Sequence, residues 1–166
     1  CARCSRAAPI TGGARSGKSR RAETRTQAFP GRPVYIATAE ALDAEMEDRI
    51  AKHRARRGAD WIEREVPLDL VQALVETEGG GARLVDCMTL WLSNLLHSGA
   101  DLDEAADDVV LTLGELGSPV VFVSNEVGLG IVPDTPLGRA FRDAQGRLNM
   151  RMAERRPAAP WSHAPP

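Results

Sequence analysis

Gly12-Gly13-Ala14-Arg15-Ser16-Gly17-Lys18-Ser19 fits G-x-x-x-x-G-K-[ST], the loop that cradles the phosphates of a nucleoside triphosphate. Its glycines let successive backbone N–H groups turn inward on phosphate oxygens. Lys18 adds a mobile cation, and the Ser19 hydroxyl is placed to complete a Mg²⁺ shell. By chance roughly one window in several tens of thousands would match. The loop therefore points to phosphoryl or nucleotidyl transfer, with a Gly/Ser-rich loop of no function as the alternative.

Working outward, strand-length apolar runs recur at Val34-Tyr35-Ile36-Ala37, Ala82-Arg83-Leu84-Val85 and Pro119-Val120-Val121-Phe122-Val123, with helical spacing between them. This alternation predicts an α/β fold, a P-loop three-layer α/β/α sandwich with a mainly parallel sheet and its ligand site at the carboxyl ends of the strands. The clearest helix is predicted over 40–54, where Leu42, Met46 and Ile50 share a face and Glu45 with Arg49, and Asp48 with Lys52, make i, i+4 pairs. Others are predicted over 19–27, 68–76, 88–97, 102–116 and 137–154. Gly79-Gly80-Gly81 is a loop, and Gly117-Ser118-Pro119 stops a helix before a strand.

Both ends read differently. Ser5-Arg6-Ala7-Ala8-Pro9-Ile10 is polar and carries a proline, so the strand feeding the loop is expected to be missing or poor. The helix over 19–27 offers only Ala22 to a core. Arg155-Arg156-Pro157-Ala158-Ala159-Pro160 and the closing Pro165-Pro166 cannot form a strand.

The chain has 166 residues, 43% of them hydrophobic, a net charge of −2 and a pI of about 6.0. One domain spanning 1–166 is expected. The charge balance supplies no basic field for nucleic acid, and no apolar run approaches the ~20 residues of a membrane span. A soluble, cytoplasmic protein is expected. Cys1, Cys4 and Cys87 cannot build a disulfide framework, and Cys1-x-x-Cys4 lacks a second pair for zinc. Residues 1–9 have no apolar stretch of a secretory signal.

Several residues could carry chemistry. Leu84-Val85-Asp86 is an apolar run ending in a carboxylate, which suits a Mg²⁺-orienting residue or a cap on the next helix. His53 follows Ile50 by three positions, near the inner seam of its helix. A neutral imidazole there can attack phosphorus, whereas a histidine in a last helical turn can merely complement the dipole. Arg54, Arg56 and Arg57 can clamp phosphates or form a solvated basic helix end. His97 and His163 are weaker candidates. Ser124 to Pro133 runs from a strand into a Gly-rich loop where an α/β fold positions substrate. Gly128 and Gly130 lack the third glycine of a dinucleotide fingerprint.

In order along the chain, Thr11 to Ser19, Tyr35-Ile36-Ala37-Thr38, Asp43, Glu45-Met46, Arg49-Ile50, His53-Arg54, Trp61, Glu65, Asp86-Cys87 and Asn94-Leu95 form one set. Asn125-Glu126-Val127-Gly128, Gly130-Ile131-Val132-Pro133, Arg139, Phe141-Arg142-Asp143, Gly146 and Asn149 complete it. These residues resemble the bifunctional adenosylcobinamide kinase and adenosylcobinamide-phosphate guanylyltransferase family of cobalamin biosynthesis, over roughly 11–150. The resemblance implies phosphoryl transfer from ATP or GTP to the aminopropanol hydroxyl of adenosylcobinamide. GMP transfer from GTP to the resulting phosphate then gives adenosylcobinamide-GDP and pyrophosphate.

By the same resemblance His53 carries GMP as a phosphoramidate, and Thr11, Gly12, Gly13, Ala14, Arg15, Ser16, Gly17 and Lys18 hold the triphosphate. Ala37, Thr38, Ala39, Arg54, Ala55, Arg56 and Arg57 add nucleotide contacts, and Glu65 and Asp86 complete the guanine-nucleotide site. Mg²⁺ is expected on Ser19 and Asp86. A homo-oligomer, a trimer with sites near subunit interfaces, is implied. Family members open with an apolar strand directly before Thr11 and close with another after the helix bearing Asn149. Residues 1–10 and 155–166 depart from that pattern, so terminal strands are expected to be missing or aberrant. A single-activity P-loop small-molecule kinase, and a nucleotide-binding protein without turnover, are the alternatives.

Overall fold

The computed structural model describes residues 7–41 and 43–154. Eleven elements follow in chain order: β1 (Ala7–Gly12), α1 (Lys18–Gln27), β2 (Val34–Ala37), α2 (Ala44–Arg57), β3 (Ile62–Glu65), α3 (Leu70–Glu76), β4 (Arg83–Asp86), α4 (Met88–Ser98), α5 (Leu102–Glu115), β5 (Val120–Asn125) and α6 (Pro136–Glu154). The strands form one sheet in the order β1-β5-β4-β2-β3, and every pairing is parallel. The predicted α/β class holds.

Strand alternation divides the core. Val34, Ile36, Val85, Val120 and Phe122 face one side, where α3, α4, α5 and α6 bring Leu74, Trp91, Leu92, Val109 and Leu148. Ile10, Tyr35, Leu84, Val121 and Val123 face the other, where α1 contributes Ala22. Helix α1 is the polar helix that the sequence suggests. Its other buried residues are Lys18, Glu23 and Thr26, and the Thr26 hydroxyl is satisfied by donating to the Ala22 carbonyl at 2.8 Å.

One expectation is corrected. The strand before the loop is present: every residue of β1 is buried, and it pairs with β5 from Ala7↔Val120 to Gly12↔Asn125. Pro9 is tolerated because β1 lies at the edge of the described sheet, where a missing N–H costs little. Strand β3 was not foreseen. Its Ile-Glu-Arg-Glu sequence is half exposed at the opposite edge, where charges discourage further pairing.

Helix bounds shift modestly: the helix expected over 40–54 spans Ala44–Arg57, capped by Asp43, whose side chain accepts from the Met46 N–H at 2.7 Å. Lys52 pairs with Asp48 as expected. Leu42, the side chain of Arg49, Cys1, Cys4, His163 and the atypical segments 1–6 and 155–166 lie outside the described residues. Among the described residues, no helix is long and apolar enough to cross a membrane.

Buried polar groups fix the layers. Arg83, with no exposed surface, donates to the Leu74 carbonyl at 2.6 Å, the Ser118 carbonyl at 2.7 Å and Glu78 at 2.8 Å. Ser124 donates to Asn149 Oδ1 at 2.7 Å and accepts from Gln145 at 3.0 Å, which locks α6 against β5.

Candidate active site

The phosphate loop turns from β1 into α1 through Gly17, whose φ of +78° is a left-handed conformation that only glycine enters without strain. Arg15 also has a positive φ, 59°. The Lys18 ammonium reaches back to donate to the Gly13 carbonyl at 3.0 Å, across the mouth of the loop. Two hydroxyls at the loop, Thr11 Oγ1 and Ser16 Oγ, are buried and meet no partner among the described residues. An anion seated in the loop would give Ser16 an acceptor.

Register aligns the carboxyl ends of the strands. Gly12 sits opposite Asn125, and Ala37 sits between Asp86 and Glu65. Beside these ends α2 carries Met46, Ile50, His53, Arg54 and Arg57 at helical spacing onto one wall of a cavity of about 580 Å³. Lys18 and Ser19, which follow edge strand β1, and Glu63 and Glu65 of the opposite edge strand β3 all line it. The size suits one small-molecule ligand.

The cavity wall brings Tyr35, Asp86 and His53 together as a relay. His53 Nδ1 stands 4.0 Å from Asp86 Oδ2, and the same oxygen accepts a hydrogen bond from the Tyr35 hydroxyl at 3.0 Å. Burial, and then the charge of Asp86, push the Tyr35 phenol far above its usual range, so it remains a proton donor. The Arg57 guanidinium lies over the Tyr35 ring at 3.4 Å, and Trp61 meets that ring edge-on at 6.0 Å. The capping alternative for Asp86 fails: the N-cap of α4 is Cys87, and the Asp86 carboxylate is turned toward Tyr35. The Cys87 thiol is pushed up by burial and by the adjacent Asp86 charge, so it stays a neutral thiol rather than a nucleophile.

The three arginines are all ion-paired, Arg57 in a buried position and Arg54 and Arg56 on the exposed side. Arg54 donates to Glu63 at 2.6 Å and Glu65 at 3.0 Å, and Arg57 donates to Glu63 at 2.6 Å. Arg56 makes a bidentate contact with Glu23 of α1, at 2.6 and 3.2 Å. Burial alone would raise the Glu63 carboxyl, but hydrogen bonds from Arg57 and Arg54 pull it below its ordinary value.

Of the residues singled out from sequence, Lys18, Ser19, Ala37, Ala39, His53, Arg54, Arg57, Glu65 and Asp86 share the cavity wall. Thr11 to Gly17 form the adjoining strand end and loop. Thr38, Ala55 and Arg56 are not on that wall. Thr38 instead braces it, donating to the Cys87 carbonyl at 2.7 Å and accepting from the Cys87 N–H at 2.9 Å. Sequence reasoning gave no role to Tyr35 or Glu63. The chain's single tyrosine, in a buried strand, was one available signal. The i, i+2 pair Glu63 and Glu65, which shares a strand face, was the other.

The family model described as cobinamide kinase / cobinamide phosphate guanyltransferase matches residues 9–160, further at both ends than the motifs reach. The chain is 51% identical over 150 residues to the bifunctional adenosylcobalamin biosynthesis protein CobP of Pseudomonas aeruginosa, with 88% of this chain and 86% of the relative covered. It is 39% identical over 160 residues to the corresponding protein CobU of Salmonella typhimurium, with 87% and 88% covered. Against CobU of Escherichia coli the identity is 38% over 162 residues, again with 87% and 88% covered.

Proposed function

We propose, for a chain that belongs to the cobinamide kinase / cobinamide phosphate guanyltransferase family, how its two reactions divide among the residues of one cavity. The chain is a transferase of cobalamin biosynthesis with both activities, cobinamide kinase and cobinamide phosphate guanylyltransferase. The observation that carries the division is the placement of His53, with Asp86 on its Nδ1 side, on the same cavity wall as Lys18 and Ser19.

In the kinase reaction the aminopropanol hydroxyl of adenosylcobinamide attacks the γ-phosphorus of ATP or GTP, and a nucleoside diphosphate leaves. Phosphate-loop N–H groups and Lys18 offset the charge on the phosphates. Guanylyl transfer begins with attack by His53 on the α-phosphorus of GTP. A P–N bond forms and pyrophosphate leaves. Because Nδ1 faces Asp86, Nε2 is the nitrogen directed at phosphorus, and Asp86 stabilises the cationic ring that develops. The phosphate of adenosylcobinamide phosphate then attacks the phosphoramidate. This gives adenosylcobinamide-GDP and frees His53.

Glu65 supplies a carboxylate that accepts from guanine N–H groups, and Arg54 and Arg57 reach the phosphates. Ser19 and Asp86 put hard oxygen donors on one wall, a set that fits Mg²⁺ carried by nucleotide phosphates. When bound, the ion supplies charge neutralisation on the polyphosphate. A homotrimer in the cytoplasm completes the reading, and light scattering tests the trimer.

The decisive experiment incubates the protein and His53→Ala with GTP labelled on the α-phosphate and Mg²⁺, followed by a denaturing gel and intact mass. An acid-labile, alkali-stable GMP adduct on the parent protein alone is expected. A folded parent that binds GTP and phosphorylates cobinamide without an adduct would overturn the role of His53.

A further inference from the structure

The loop after β5 carries an exposed apolar surface. Val127-Gly128-Leu129-Gly130-Ile131-Val132-Pro133 contains no polar or charged side chain. Leu129 is 87% exposed and Ile131 97% exposed, with Val132 and Leu137 more than half exposed beside them. Such a concentration of apolar surface on a loop marks a contact site.

Both ends of the loop are fastened. At its start the Asn125 N–H donates to Thr89 Oγ1 at 2.9 Å, and the Glu126 N–H donates to the Gly12 carbonyl at 3.2 Å, tying it to the phosphate loop. At its close Arg139 donates to the carbonyls of Pro133 at 3.0 Å and Asp134 at 2.8 Å. Pro133 also approaches Gly138 so closely that a Cβ there would come within 2.8 Å of the proline ring. The apolar tip is thus held out from two anchored ends.

Its position suggests what it meets. Sheet order puts β3, with Glu63 and Glu65, at the edge opposite β1, so a nucleotide with its base near β3 has its terminal phosphate toward β1 and β5. The cavity of about 580 Å³ suits that nucleotide. A corrinoid is the larger substrate, and it must lie outside while presenting its hydroxyl at the phosphate loop. The surface there is the β5 loop. A corrin ring carries a methyl-rich periphery that matches an uncharged apolar tip.

We propose that Leu129, Ile131 and Val132 form the docking edge for the corrin macrocycle of the acceptor substrate in both reactions. This rests on the reading that the chain transfers groups to cobinamide. Each side chain makes a contact worth roughly tenfold or more in affinity when buried.

The test compares the parent with Leu129→Ser/Ile131→Ser in three measurements. These are adenosylcobinamide binding by equilibrium dialysis read from its visible absorbance, GMP adduct formation from GTP alone, and molar mass by light scattering. The expected result is cobinamide affinity weaker by roughly a hundredfold, with adduct formation within about twofold of the parent and molar mass unchanged. Unchanged cobinamide affinity would overturn the proposal. So would a fall in molar mass accompanied by equal loss of both readouts, because the loop would then cover a second copy of the chain. If the parent itself forms no adduct, the guanylyltransferase mechanism fails separately, and the affinity comparison still decides the role of the loop.

Discussion

Replacing Tyr35 by Phe removes one oxygen and leaves the ring that Arg57 covers at 3.4 Å and Trp61 meets at 6.0 Å. What disappears is the 3.0 Å hydrogen bond to Asp86 Oδ2, the oxygen that faces His53 Nδ1. A hydrogen bond to a charged acceptor is worth about 1.5–3 kcal/mol net. If that restraint acts wholly in the attack of His53 on the α-phosphorus, adduct formation slows by roughly 10- to 150-fold. The kinase reaction does not pass through His53 and draws on Asp86 only through the metal, so it should slow much less and serves as a reference in the same cavity. Single-turnover adduct formation from α-labelled GTP, beside cobinamide phosphorylation from γ-labelled ATP, measures both. Loss of the two rates in equal proportion would show that Tyr35 only supports the fold. An unchanged adduct rate would refute the relay.

Gly17→Ala forces a side chain into a φ of +78° at a cost of about 1–2 kcal/mol; GTP affinity measured by calorimetry should fall while far-ultraviolet circular dichroism is unchanged. Arg83→Met removes the cation paired with Glu78 and the buried donor to the carbonyls of Leu74 and Ser118, and at about 3–5 kcal/mol the midpoint of thermal unfolding should drop by roughly 6–20 °C. Glu78 is raised by burial but lowered further by the Ser118 N–H, the Arg83 charge and the Gly117 N–H, so its folded value lies below 4.5. That contribution is complete above the unfolded value and vanishes as pH falls through the folded one; Glu78→Gln should flatten the acid limb of stability against pH, measured by urea unfolding between about pH 5 and 2.

What the sequence made legible depended on whether a signal was local. The phosphate loop is a contiguous motif, and β5 is a run of branched apolar residues, so both could be read directly. Strand β1 could not, because Ala-Ala-Pro-Ile-Thr-Gly has little β propensity of its own and is buried by neighbours remote in the chain. Strand β3 hid behind three charges in four residues. In the site, His53 and Asp86 were separately visible, but their approach depends on how α2 lies beside the carboxyl ends of the strands. The bond between Tyr35 and Asp86 depends on the parallel register that sets Ala37 beside Asp86. The pairing of Arg56 with Glu23 joins residues 33 positions apart on two helices, and nothing in either segment announces it.

The arginines of α2 carry an expectation about how nucleotide selectivity arises. Arg54 is held by Glu63 and Glu65, one of which is the carboxylate assigned to guanine. A polyphosphate that draws Arg54 away also releases Glu65 for the base, so phosphate and base recognition share one switchable pair. An adenine nucleotide could recruit Arg54 yet would offer Glu65 no donors matching those of guanine, so releasing this exposed carboxylate would bring no gain at the base. The two side chains should therefore be coupled in GTP binding. In a double-mutant cycle of Arg54→Ala and Glu65→Ala, the coupling energy for GTP should be about 0.5–3 kcal/mol, and for ATP close to zero. Because Arg54 and Glu65 are both largely exposed, their mutual ion pair contributes little by itself. Equal coupling for the two nucleotides would mean that the pair merely braces β3 against α2, and the selectivity for guanine would have to be sought elsewhere on the cavity wall.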